Sequence, residues 1–302
     1  MRVLITGATG LIGNKIVQLC LKNDIKVSYL STSKSKIQNK ENYQGFYWNP
    51  KTLEIDKKCL ENVDAIIHLA GATISKRWTE SYKKEILNSR KVTTQLLFST
   101  LVAEDHDVKQ IISASAIGIY PDSLVNYYDE DYNDINETSF LSKVVKVWEQ
   151  EVDAFSKLGI MVSKVRIGLV LAKDDGALPQ MVKPIKMGVG AAFGSGEQWQ
   201  SWIHNTDLAN LFLYVLQRKL NGVYNGVAPN PITNQELTKT IASVLNKPLF
   251  LPNIPKFVMK LVLGEMHKLL FESQRVSSKK IEDKGFDFKY NNLKPALENL
   301  LD

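Results

Sequence analysis

The stretch Met1-Arg2-Val3-Leu4-Ile5-Thr6-Gly7-Ala8-Thr9-Gly10-Leu11-Ile12-Gly13 restricts the possible folds more than any other part of the chain. Its apolar run, Arg2–Thr6, reads as a short buried strand. Three equally spaced glycines follow, and over residues 13–23 Ile16, Val17, Leu19, Cys20 and Leu21 recur at helical spacing. Strand, glycine loop and helix in that order form the setting in which such glycines have a physical task. Gly7 permits the tight turn, and Gly10 removes a side chain where backbone must approach a pyrophosphate. Gly13 lets the helix pack closely on the strand. The helix start then offers unpaired N–H groups and a positive dipole end to phosphate oxygens. A dinucleotide is the expected ligand, and an ordinary strand-to-helix turn is the plain alternative.

The same alternation continues downstream. Residues 26–30, 45–48, 64–69, 109–113 and 161–166 read as strands, and 78–101 and 139–157 as helices between them. Strands alternating with helices imply an α/β chain with a doubly wound parallel sheet. Their near-continuous apolar character agrees with a sheet covered on both faces. Glycine becomes frequent after Gly176, at Gly188, Gly190, Gly194 and Gly196, and a helix is expected over 207–217. From residue 248 the pattern is mainly helical, over Lys256–Leu263, 265–271, 277–284 and Leu293–Leu301. This divides the chain into a sheet domain over 1–230, with substrate-loop insertions at 172–206, and a small helical cap over 248–302.

Composition narrows the partners. The 302 residues can bury a sizeable core without staples. The net charge of +6 comes from lysines scattered along the chain, with no arginine-rich stripe, so a solvated surface is expected and no nucleic acid. Cys20 and Cys59 belong to no metal-ligand or redox pattern, which fits a reducing compartment. No metal is expected. Met1-Arg2 leads straight into the apolar run without a cleavage-like site. No apolar stretch approaches the ~20 residues that span a bilayer. The expectation is a cytoplasmic protein with no membrane contact, a small-molecule substrate, and a homodimer left open.

The end of the second strand bears on which dinucleotide is held. A carboxylate there holds the ribose 2′-OH of NAD. Here it reads Leu30-Ser31-Thr32-Ser33-Lys34-Ser35-Lys36, without an acid. Hydroxyls and lysines suit a 2′-phosphate that a carboxylate would repel. NADP(H) is therefore expected over NAD(H), with Thr32, Ser33 and Lys34 at the 2′-phosphate.

His68-Leu69-Ala70-Gly71 makes the pattern specific. With Thr6–Gly13, Ser113-Ala114-Ser115-Ala116-Ile117-Gly118-Ile119-Tyr120 and Ser201-Trp202-Ile203-His204-x-x-Asp207, the chain resembles the extended short-chain dehydrogenase/reductase superfamily of sugar-nucleotide epimerases and dehydratases. It resembles in particular an atypical branch of epimerase family proteins with a C-terminal domain of unknown function, of the DUF1731 kind. The marks of that branch are Lys76-Arg77-Trp78-Thr79, Ser89-Arg90, Trp148-Glu149, Arg166-Ile167-Gly168-Leu169-Val170-Leu171, Gly194-Ser195-Gly196 and Leu263-Gly264-Glu265. The resemblance covers essentially the whole chain. It implies a Rossmann-type fold and an NADP(H)-dependent oxidoreductase or epimerase acting on a small polar carbonyl or hydroxyl compound. It further implies cofactor contacts from Gly7, Thr9, Gly10, Leu11, Ile12, Gly13, Leu69, Ala70, Gly71 and Arg166.

The superfamily's proton chemistry uses Tyr-x-x-x-Lys, the lysine lowering the phenol pKa, together with a polarising hydroxyl. This chain departs from it. Aligning Ser142-Lys143 with the usual Ser-Lys puts Ser139 at the tyrosine position, and aligning Phe140 with the tyrosine puts Val144 at the lysine position. Tyr290 and Lys294 have the spacing but lie near the C-terminus, away from the expected sheet. The polarising position falls on Ala116, beside Ser115. The groups left nearest the chemistry are Ser115, Tyr120 and Lys143, each with a plain structural alternative. The other explanation is a non-catalytic NADP(H)-binding protein that senses redox state. On the substrate side, Arg77 and Trp78 are expected at the mouth of the cleft, where a guanidinium and an indole suit an anionic or planar ligand. Trp199 and Trp202 sit on a glycine-opened loop able to close over it. His204 is expected on the site wall, with Asp207 as N-cap of the helix that follows.

Overall fold

Val3, Leu4 and Ile5 are fully buried in the first strand, as are Ile66 and Ile67 in a neighbour, so both faces of the sheet must be covered. The computed structural model describes residues 1–135 and 139–302. Its sheet strands are β1 (Arg2–Thr6), β2 (Lys26–Ser31), β3 (Tyr43–Asn49), β4 (Ala65–His68), β5 (Gln110–Ala116), β6 (Met161–Ile167) and β7 (Gly222–Gly226). They pair in the order β7-β6-β5-β4-β1-β2-β3, each pair parallel. Two short strands, Asn39–Lys40 and Glu54–Ile55, pair antiparallel with β3. The crossovers and flanking helices are α1 (Leu11–Lys22), α2 (Glu80–Ala103), α3 (Phe140–Asp153), α4 (Ala177–Lys186) and α5 (Asn205–Gln217). The winding reverses between β1 and β4, which opens a crevice beyond their carboxyl ends. This is the Rossmann-type, doubly wound sheet expected from the sequence, with α1 packed on α5 and α2 on α3.

The carboxyl-terminal part adds α6 (Asn234–Val244), α7 (Lys256–Leu263), α8 (Lys268–Phe271), α9 (Lys279–Asp283) and α10 (Leu293–Leu301). It is joined to the sheet domain by short pairings. Arg275–Val276 runs parallel to Tyr127–Tyr128, and Ile232–Thr233 antiparallel to Trp199–Gln200. Within the sheet domain itself, Trp202–His204 runs parallel to Leu169–Leu171. A second apolar cluster joins α4, α6 and α10 around the fully buried Trp202. By contrast α7 buries no residue fully and leaves Phe257, Leu261 and Val262 exposed. Among the described residues no helix is long and apolar enough to cross a membrane.

Side-chain caps fix the starts of α2, α3, α5 and α6. Thr79 and Ser139 accept the N–H of Tyr82 and Ser142 at α2 and α3, and Thr233 with Glu236 forms a capping box at α6. The start of α5 corrects the sequence reading. Its N-cap is His204, whose Nδ1 accepts the N–H of Thr206 at 3.0 Å. Asp207 instead accepts the backbone N–H groups of Lys289 (3.1 Å) and Tyr290 (2.9 Å). Tyr290, which lies off the main sheet, stacks on His204 with ring centres 4.0 Å apart.

Burial pushes the His204 imidazole down to about 4, against about 6.5 in an unfolded chain. Above that unfolded value both states are neutral and pH has no effect through this group. Below it the unfolded chain takes up a proton that the fold refuses, so stability falls as pH drops from 6.5 towards 4, by about 1.4 kcal/mol per unit. Asparagine keeps an acceptor for the cap and cannot titrate. Between pH 7 and pH 5, His204→Asn should therefore lose roughly 2 kcal/mol less stability than the parent chain. Urea unfolding at the two pH values checks this, and equal losses would refute it.

Candidate nucleotide-binding site

The glycine turn is shaped by backbone meeting backbone. Gly7 has φ +71°, and a Cβ there would lie 3.1 Å from the Leu69 carbonyl carbon. A Cβ on Gly13 would fall 2.1 Å from the Gly7 carbonyl oxygen, so α1 rests directly on the turn. Gly10 is the N-cap of α1, and no side chain caps that helix or places an acid in its first turn. The first N–H groups are thus left for an external acceptor. The turn at Gly176 reaches over this end, a Cβ there falling 3.4 Å from Leu11 Cδ2.

A buried hydrogen-bond chain fixes the opposite wall. The Thr94 hydroxyl donates to the Arg90 carbonyl at 2.7 Å, so it accepts from His68 Nε2 at 3.0 Å. His68 Nδ1 then accepts the Thr6 hydroxyl proton at 2.8 Å, and Thr6 Oγ1 accepts the N–H groups of Leu69 (3.0 Å) and Ala70 (3.1 Å). Burial, reinforced by the Arg90 charge, pushes His68 down to about 3, so it stays neutral. The ends of β1 and β4 are locked together, and Leu69, Ala70 and Gly71 leave β4 partly open to solvent. At the end of β2, Ser31 and Ser33 bond to one another and Lys34 lies over the Tyr47 ring at 4.9 Å. Thr32 and Lys34 are exposed and Ser33 half-buried.

Ser115, Tyr120 and Arg166 are brought together, but in a sealed network. Arg166 grips Glu149 with Nε (2.9 Å) and Nη2 (3.0 Å), Ser115 donates to the same carboxylate (2.6 Å), and Arg166 Nη1 donates to the Tyr120 hydroxyl (3.0 Å). Tyr120 donates in turn to Asn225 at 2.9 Å. Burial outweighs the Arg166 charge and pushes the Tyr120 phenol up to about 12. Glu149 is held below its usual range, because Arg166, Lys164 and Ser115 outweigh the opposing effect of burial. Each polar atom of Tyr120 and Ser115 already has a partner. Lys143 is exposed on the first turn of α3, while Phe140 packs edge-on against Trp78 with ring centres 5.2 Å apart. Tyr47 and Lys51 share the Tyr-x-x-x-Lys spacing, but they lie on β3 and the turn after it rather than on a helix.

The substrate-side expectations separate. Trp78 is buried beside Ile86 and Val144 and donates Nε1 to the Ile74 carbonyl at 2.9 Å. Arg77 is exposed next to Gly264. Trp202 and His204 are buried with the C-terminal helices, and Trp199 donates to the Leu124 carbonyl under the Arg275 guanidinium. The tryptophans of 199–202 therefore share no cluster with Trp78. One group was assigned no role in the sequence reading. Arg90, on α2, lies against Gly71, where a Cβ would meet its Cζ at 3.3 Å. Its helical neighbours one turn away, Ile86 and Thr94, are uncharged, and that was the available signal. No group of His, Cys, Asp and Glu able to hold a metal ion occurs among the described residues.

Known proteins share this architecture. The profile of the NAD dependent epimerase/dehydratase family matches residues 3–226, and a domain of unknown function (DUF1731) matches residues 254–300. An epimerase family protein of Staphylococcus aureus is 36% identical over 299 residues, covering 99% of this chain and 98% of its own. Human epimerase family protein SDR39U1, crystallised with NADPH, superposes with a TM-score of 0.85 at 30% identity over 99% of both chains. UDP-N-acetylglucosamine 4-epimerase from Bacillus cereus has the same fold, with a TM-score of 0.78 at 20% identity over 99% of this chain and 98% of its own. With its glycine cradle, parallel sheet and C-terminal domain all matched, the chain belongs to the NAD-dependent epimerase/dehydratase family.

Proposed function

We propose that this chain binds NADP(H) in the crevice between β1 and β4 and acts as an oxidoreductase or epimerase on a small polar carbonyl or hydroxyl compound. The observation that carries the reading is the glycine cradle. Gly13 has no room for a Cβ, and Gly10 opens an uncapped helix whose N–H groups suit a pyrophosphate. Gly7, Thr9, Leu11 and Ile12 complete that contact. Leu69, Ala70 and Gly71 would line the ribose. Thr32, Ser33 and Lys34, with no carboxylate among them, would take the 2′-phosphate. The human relative was crystallised with NADPH, which supports the same choice.

When bound, the nicotinamide supplies hydride transfer. The chain's own residues supply position. Ser115, Tyr120 and Arg166 brace the wall beyond β5 and β6 through Glu149, so we assign them support rather than proton transfer or cofactor contact. Lys143 is left as the group to hold a ribose hydroxyl. A second reading, an NADP(H)-binding redox sensor without turnover, is favoured by Phe140, whose packing on Trp78 fills the place of a phenol. Nicotinamide consumption across a panel of carbonyl compounds separates the two: steady turnover supports the enzyme, and tight binding without turnover the sensor.

NADPH should bind more tightly than NADH when followed by enhanced nicotinamide fluorescence. Thr32→Asp should weaken NADPH at least about tenfold while sparing NADH, because it sets a carboxylate against the 2′-phosphate. An unchanged ratio would reject this assignment, and no binding of either nucleotide would reject the whole proposal. Tyr120→Phe should cost roughly 1–3 kcal/mol of stability, since it leaves Asn225 and Arg166 without their shared hydroxyl. NADPH affinity should not move. Lost turnover with unchanged stability would return Tyr120 to the role of proton donor.

A further inference from the structure

We propose that Arg90 is an oxyanion-binding group in the cleft wall, where its free Nε and Nη2 edge takes a carboxylate or phosphate of the bound molecule. This deepens the reading above, because it names the chemical class that the same crevice selects.

Two arginines in this chain are withdrawn from solvent near the carboxyl ends of the strands, and they are treated differently. Arg166 fixes one nitrogen, Nη1, on Tyr120 and gives the parallel Nε and Nη2 groups to Glu149. Arg90 also fixes Nη1, on the carbonyls of Ala72 (3.2 Å) and Ile86 (3.0 Å), and lays its face over the Trp148 ring at 5.0 Å. The guanidinium plane is thereby set. Its Nε and Nη2, the pair that holds a carboxylate in Arg166, have no partner among the described residues. Neither is one of the sealed, unpartnered side-chain nitrogens of the described residues, which are His106 Nδ1, Trp148 Nε1 and His204 Nε2, so each keeps some solvent exposure.

Location and charge agree with a ligand contact. Arg90 lies against Gly71, in the segment that leaves β4 at the crevice. No carboxylate among the described residues lies within ion-pair distance of it. Burial pushes it down to about 10, so it still carries its charge at neutral pH. A half-buried cation without a counter-charge is costly to keep, and a forked donor edge with two parallel N–H groups matches the two oxygens of a carboxylate or phosphate. That oxyanion belongs either to the substrate or to the cofactor.

The test uses the full chain, with malonate and inorganic phosphate as probes, in calorimetric titrations with and without NADPH. Arg90→Met should weaken probe binding at least about tenfold. Arg90→Lys, which keeps the charge and loses the fork, should recover only part of it. Arg218→Met, at an arginine stacked on Tyr214, should leave it unchanged. If the probes bind alongside NADPH and only probe binding depends on Arg90, the substrate supplies the oxyanion. If the probes compete with NADPH and Arg90→Met weakens NADPH as well, the cofactor supplies it. Folded Arg90 variants, verified by melting, that bind malonate, phosphate and NADPH as the parent does would overturn the proposal. Failure of the parent to bind NADPH would remove the functional reading, and the probe titrations on the nucleotide-free chain would still decide Arg90.

Discussion

The carbonyl oxygen of Gly7 occupies the space that any side chain on residue 13 would need, since a Cβ there would come within 2.1 Å. That contact sets α1 directly on the turn after β1, with no side chain between them. It aims the uncapped start of the helix over the carboxyl end of the sheet. The same turn brings Gly7 against the backbone of Leu69, which limits how far β1 and β4 can part. Thr6 can then reach His68, Leu69 and Ala70 together. The crevice is therefore shaped by backbone sterics and one satisfied polar chain before a ligand arrives, so little ordering is left to oppose binding.

Around this rigid floor the polar groups fall into two kinds. Ser115, Tyr120, Glu149, Arg166 and Asn225 satisfy one another and gain rigidity in a place of low dielectric. The uncapped start of α1 and the Nε and Nη2 edge of Arg90 have no side-chain partner within the described protein. The first kind supports the wall and the second faces outward. Of the two residues that can align with the reactive phenol of the resembled superfamily, Ser139 caps α3 and Phe140 packs in an apolar cluster beside Trp78 and Val144.

Much of the fold was legible because it is local. Apolar runs and glycine spacing located β1 and α1, and the missing acid after β2 was visible in seven consecutive residues. What was not legible depends on partners far away in the chain. Asp207 stands where a helix-capping acid often stands, and only the segment at Lys289 and Tyr290, more than eighty residues on, shows what its carboxylate serves. The motif ending in Tyr120 located the end of β5 but not the direction of its side chains. Register places Ser115 opposite Arg166, and Arg166 opposite Asn225, so these side chains meet each other. The tryptophans of the 199–202 loop looked like a lid because nothing in the sequence pairs Trp202 with Asn230 or buries it among α4, α6 and α10.

The small pairings between distant segments have a consequence for how the molecule is made. Among the described residues Tyr127–Tyr128 finds its strand partner in Arg275–Val276, and the Asp207 carboxylate waits for residues 289–290. The nucleotide-binding half cannot reach its final form while the last quarter of the chain is still being synthesised, and such non-local closure is slow. Cutting the chain after the sheet would strip the strand partner from Tyr127–Tyr128 and two donors from a buried acid, so trimming it to a minimal cofactor binder would uncover the buried Tyr128 and Asp207.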